Sequence, residues 1–110
     1  MAMDETAPPP IPVIRPSGDL DLHTISPFAA ELQQLCTQHS AVIIDLASVT
    51  FGDSMFLNEI IRAEKLTDLR LINIPDVIDR GFALTAMYEI LAIYPTLEAA
   101  QQAPRSEERR

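Results

Sequence analysis

The clearest pattern along the chain is the apolar, mostly β-branched run Ala41-Val42-Ile43-Ile44, continued through Asp45 and Leu46 as a strand over 41 to 46. A strand buried on both faces reads this way. A polar turn then leads to Asp53-Ser54. From Met55 to Lys65 the period changes from two to that of a helix. Leu57, Ile60, Ile61 and Glu64 share one stripe of it; Met55, Asn58, Glu59 and Arg62 share another. The second stripe predicts an outward-facing Met55 beside Ser54 at the helix mouth. Upstream, Ile11 to Arg15 is a short strand broken at Pro16. Ser17-Gly18 signals a turn, and Asp19 to His23 alternates as an edge strand would. No helix separates these two strands, so they are expected to pair antiparallel. Ser26-Pro27 predicts a helix over 27 to 38, with Phe28, Leu32, Leu35, Cys36 and His39 on one face.

Downstream, Leu69 to Ile74 is a further strand. Pro75-Asp76 opens a helix with Val77, Ile78, Gly81, Phe82 and Thr85 inward. Glu89 to Tyr94 is a last strand, and Pro95-Thr96 opens a short helix ending at Gln102. Alternating strands and helices with short connections predict an α/β fold. The expected architecture is a single domain with a central mixed, mostly parallel sheet of four to five strands, packed with four helices. The expected divisions are a flexible Pro-rich leader over 1–10, the domain over 11–103 and a charged flexible tail over 104–110.

Composition narrows the function. The chain has 110 residues, one ordinary core's worth, with 47% hydrophobic and 5% aromatic residues, so an aliphatic interior is expected. Its formal net charge of −8 argues against nucleic acid and anionic membrane as partners, and for a basic protein surface. The one cysteine, Cys36, allows no internal disulfide and no Cys-based metal cluster, which fits a reducing cytoplasm. No apolar run approaches the roughly 18 residues of a membrane span, and no basic-then-apolar leader is present.

Enzyme readings fit poorly. Gly52-Asp53-Ser54-Met55-Phe56 half-matches a nucleophile elbow, but Phe56 replaces the second glycine. Both histidines, His23 and His39, also precede the serine. Asp45 lacks the acidic pair and late lysine of a phospho-acceptor site, and reads as an acceptor for loop N–H groups. Asp19, Asp21 and His23 alternate as metal ligands could, but no fourth ligand accompanies them, and solvated edge residues explain them equally well. Cys36 reads as core and His39 as a helix-end residue. Three unclustered glycines make no phosphate loop. No metal and no cofactor are expected. Asp53-Ser54 remains, where a hydroxyl at a helix start either caps the helix or carries a phosphate.

Four blocks bear on that choice: GDLDL at 18–22, VIIDLASVTFGDS at 42–54, LRLINIPDVIDRGF at 69–82 and YPTLEAAQQ at 94–102. Together they resemble the STAS domain of bacterial anti-sigma factor antagonists, from about Ile11 to Ala103. The resemblance implies a STAS-like fold and no enzymatic activity. It also implies a partner, an anti-sigma factor with a histidine-kinase-like ATPase fold, whose release of a sigma factor regulates transcription. By the same resemblance that kinase phosphorylates Ser54 and the complex separates, and Asp21 lies on the partner-facing surface. Asp53, Met55, Asn58 and Arg62 complete the expected docking residues, and self-association is expected to be weak. Helix N–H groups and the macrodipole are expected to accommodate the phosphate with little refolding. The family commonly has small residues where this chain has Met55 and Phe56, and their bulk implies a narrower partner range. The alternative is a STAS scaffold or a subunit of a larger signalling or lipid-transport assembly, with Ser54 a mere cap.

Overall fold

The computed structural model describes residues 10–105. Residues 1–9 of the expected leader and residues 106–110 of the expected tail lie outside the described residues. Six strands and four helices follow in the order β1 (Val13–Ile14), β2 (Gly18–Leu20), α1 (Ile25–Gln38), β3 (Ala41–Asp45), β4 (Val49–Gly52), α2 (Ser54–Leu66), β5 (Asp68–Ile72), α3 (Asp76–Leu84), β6 (Ala92–Tyr94) and α4 (Leu97–Gln102). A 3₁₀ turn over Met87–Glu89 joins α3 to β6.

The main sheet has the order β1-β3-β5-β6, and every pairing in it is parallel. The expected antiparallel pairing of the first two strands is not found. β1 pairs with β3, whereas β2 leaves for a separate two-stranded sheet and pairs parallel with β4. Pro16 has no N–H to continue a ladder. Gly18, at φ 78°, takes a turn that a side chain resists, and its N–H bonds the Ser48 carbonyl at 2.9 Å. β4 itself lies in the stretch expected to be a polar turn. Its Val49-Thr50-Phe51 run is too short and too exposed to show a clear alternation.

The period of two in β3 sorts its residues between two cores. Val42 and Ile44 join Leu69 and Leu71 of β5 on the face covered by α1, α2 and α3. Ala41 and Ile43 join Ile72, Ile11 and Ala100 of α4 on the other face. Each fully buried Leu or Ile contributes about 1.5–3 kcal/mol. The three-helix side is less aliphatic than its composition implies. Phe56 lies between Phe28 and Phe82, with ring centroids at 6.2 and 6.4 Å, and all three rings are buried.

Helix faces differ in detail from the expected ones. α1 begins at Ile25 rather than Pro27, which sits in its first turn where no N–H is needed. α2 buries Phe56, Glu59, Ile60 and Ala63, so its inward face is rotated by about one position from the Leu57–Ile61 stripe. Gly52 allows this. Phe56 Cδ2 lies 2.5 Å, and Ile78 Cδ1 3.2 Å, from where a Cβ on residue 52 would be. Glu59, expected outward, is buried and meets Arg62 at 3.7 Å. On α3 only Ile78 and Phe82 are buried; Val77 and Thr85 face solvent.

The second core is closed by a residue that sequence pattern does not single out. Arg70 in β5 is wholly buried and pairs with Asp68 at 2.8 Å. Its guanidinium also donates to the carbonyls of Ala100, Ala103 and Pro104 at 2.5, 2.8 and 2.8 Å, and lies 5.7 Å from the Tyr94 ring centroid. It thus satisfies the carbonyls at the end of α4 that no helical N–H can reach.

Arg70→Ala should lower unfolding stability by about 3–5 kcal/mol, since it strips a buried carboxylate of its cation. Asp68→Asn with Arg70→Met should recover part of the loss, read as the urea midpoint; a single-variant loss below about 1 kcal/mol would show the pair to be dispensable. Burial pushes the Cys36 thiol up to about 11. It should therefore react slowly with thiol reagents at about pH 8 in the folded protein and at the free-thiol rate in urea. The protonated thiol favours the folded state, so its contribution should be intact below about pH 8.5 and decline as pH rises towards 11.

Candidate functional site

Asp53 has extended backbone, φ −99° and ψ −165°, and ends the strand-to-helix turn as the N-cap of α2. Its Oδ1 accepts from the Met55 N–H at 2.9 Å and the Phe56 N–H at 3.3 Å. Its Oδ2 accepts from the Leu22 N–H at 3.1 Å, and its own N–H donates to the Leu20 carbonyl at 3.2 Å. One carboxylate thus caps the helix and ties the loop after β2 to it.

Ser54 is left as the first helical residue. It is exposed, and no hydrogen bond to its side chain is found among the described residues. Of the two roles weighed for a hydroxyl here, capping therefore goes to Asp53 and not to Ser54. The expectation that helix N–H groups would receive a phosphate needs correction, because Asp53 already occupies those of Met55 and Phe56.

Asp21 lies in the loop tied down by Asp53. Its Oδ1 accepts from the His23 N–H at 2.9 Å and the Thr24 hydroxyl at 3.1 Å, and its carbonyl accepts from the Thr24 and Ile25 N–H groups that open α1. The His23 backbone bond, with help from Thr24 and against a smaller effect of burial, holds its carboxyl below the usual range. Asp21 therefore stays charged, and the Leu22–Asp53 bond brings its loop beside Ser54.

Along α2, Ser54, Asn58 and Arg62 are exposed at spacings of four and form one ridge. Met55 does not face outward as expected; it is half-buried against the core. Phe56 is wholly buried, so of the two large residues after the serine only Met55 touches the surface.

Sequence reasoning missed two exposed apolar neighbours, Leu22 and Phe51, at 63% and 44% exposure. A bulge between Gly18 and Asp19 pairs Val49 with Gly18 and Phe51 with Asp19. It turns Phe51 outward while Leu20 and Gly52 remain opposite each other below. Thr50 fixes the bulge by donating to Asp19 at 2.6 Å. The β-branched and aromatic run at 49–51 was the available signal.

The other candidates are structural. Asp45 accepts from the Ala47 N–H at 3.0 Å and from Asn73 at 3.1 Å, as read for a loop acceptor, and meets Arg15 at 3.4 Å. Asp19 and Asp21 are engaged by Thr50 and by their own loop. Among the described residues, no group of three or more His, Cys, Asp or Glu could hold a metal, and no helix is long and apolar enough to cross a membrane.

Solved structures share this fold. A crystal structure of an anti-sigma factor antagonist from Mycobacterium paratuberculosis superposes with a TM-score of 0.73 at 21% identity, covering 83% of this chain and 85% of that one. The anti-sigma factor antagonist SpoIIAA in its unphosphorylated form gives 0.67 at 18% identity, covering 84% and 87%. No curated protein matches by sequence. The family model described as STAS domain matches residues 2–100, and the chain belongs to that family.

Proposed function

We propose that this protein is a cytoplasmic anti-sigma factor antagonist that acts by binding, not catalysis. Its partner is an anti-sigma factor with a histidine-kinase-like ATPase fold, which docks on the face built from Asp21, Asp53, Ser54, Met55, Asn58 and Arg62. Phosphorylation of Ser54 by that kinase ends the complex. The observation that carries this reading is the Ser54 hydroxyl, exposed at the first helical position and relieved of capping by Asp53.

The electrostatics give the switch its direction. Unmodified, the surface offers a neutral hydroxyl flanked by apolar Leu22, Phe51 and Met55, with Asp21 and Asp53 able to meet basic side chains. A phosphate adds about −1.5 to −2 charges at neutral pH. It arrives beside a carboxylate that already holds the nearest helix N–H groups. Its own chain therefore does little to neutralise it, and it remains a hydrated dianion next to Asp53. Burying it unpaired against a nucleotide-bearing kinase costs several kcal/mol.

Incubating the protein with the anti-sigma factor kinase of the same genome and ATP should add one phosphate by intact mass, lost in Ser54→Ala. Ser54→Asp should bind the kinase about 100-fold more weakly than the wild type, and Ser54→Ala should bind but resist release by ATP. Equal affinity of Ser54→Asp and wild type by calorimetry would refute the switch. An unmodified Ser54 with binding retained would favour the scaffold reading.

A further inference from the structure

Between Gly81 and Leu97 the only charged residue is Glu89, in a chain whose net charge is −8. This stretch also carries four of the exposed large hydrophobic residues: Leu84 at 86%, Ile90 at 47%, Tyr88 at 39% and Ile93 at 39%. They lie on three consecutive elements: the end of α3, the 3₁₀ turn packed against it, and β6. Leu84 ends α3, and Ile90 closes the 3₁₀ turn that leads into β6. β6 is the outermost strand of the main sheet. Ile93 is in register with Leu71, which faces the three-helix side, so it points towards the side that α3 covers. Tyr88 is held there edge-on to Phe82, with ring centroids 5.6 Å apart, and its hydroxyl donates to Asp79. Beyond Asp76, the charged residues of α3 and of the 3₁₀ turn are Asp79, Arg80 and Glu89.

We infer that this edge is a self-association surface on which a second copy of the chain packs, patch against patch, about a two-fold axis. Charge selects that occupant. Two copies meeting through the Ser54 face would oppose Asp19, Asp21 and Asp53 to their own likenesses, with Arg62 the one cation among the residues assigned to that face. At the Leu84–Ile93 edge each copy brings one net acidic group, Glu89, with Asp79 and Arg80 offsetting each other. Like-charged copies meet there at least cost, whereas a basic partner finds little to attract it. A patch of four side chains is small beside the roughly 800 Å² per partner of a stable interface, so the dimer is weak and reversible. The surface contains none of the residues assigned to the kinase, so kinase binding and dimerisation do not compete.

The salt dependence follows from the same charges. Away from the contact the two copies repel, so added salt strengthens the dimer, while it weakens docking of a basic partner on the acidic face. Sedimentation of the full chain over a wide concentration range should show a mass rising from that of one chain towards that of two, and rising further in high salt. Leu84→Gln and Ile90→Gln, which leave net charge unchanged, should each abolish the rise without moving the urea midpoint. Leu22→Gln, on the Ser54 face, should leave it intact. A single-chain mass at every concentration in high salt would overturn the inference, as would a dimer lost in Leu22→Gln but kept in Leu84→Gln.

Discussion

The candidate site depends on the carboxylate of Asp53. It accepts three backbone N–H groups, two from the first turn of α2 and one from the loop after β2. A capping aspartate is common; one whose second oxygen also fastens a loop from more than thirty residues earlier is a structural joint. It brings Asp21 and Leu22 beside Ser54, and it occupies the donors that a serine cap would otherwise engage. The exposure and availability of Ser54 follow from that division of labour. In this respect Asp53 is as much a part of the proposed switch as the serine.

Beneath the site, the fold divides its labour between two unequal cores. The three-helix side is large and has phenylalanine rings at its centre. The other side is small and is covered by α4 with the segment around Ile11. A small core gains little from burial alone, and here it is closed by a buried cation bonded to three carbonyls at the end of α4. Gln101 adds reciprocal bonds to the Ile11 backbone at 2.8 Å each, tying the two ends of the described chain together.

Much of this was legible in the sequence. The β-branched run at 41–44 announced a strand buried on both faces, and the Pro-Asp and Pro-Thr pairs at 75–76 and 95–96 marked helix starts correctly. The family blocks implied the fold as a whole but did not correct the pairing that periodicity misjudged at the first two strands. Errors arose where a single neighbour overrides a local pattern. The face of α2 turned because Gly52 makes room for Phe56. β4 was hidden because a bulge breaks its alternation at Thr50. Arg70 gave no signal, because a lone arginine in an apolar strand reads as an edge residue until its carbonyl partners, 30 and more positions away, are known. Ser54 was placed correctly at the helix start, but the residue that caps the helix could be identified only from hydrogen-bond geometry.

Gly52 has a wider consequence. With the Phe56 ring in the space its side chain would need, positions 52 and 56 share one volume, and Ile78 borders it. Enlargement at one must be met by shrinkage at the other. In a chain with a small residue at 56, the closest obstacle to a side chain at 52 is gone, and once Ile78 gives way the strand leading to the serine gains freedom of composition. The identity of the residue two places after the serine thus sets how the backbone two places before it can vary, and this linkage passes underneath the docking surface without showing on it.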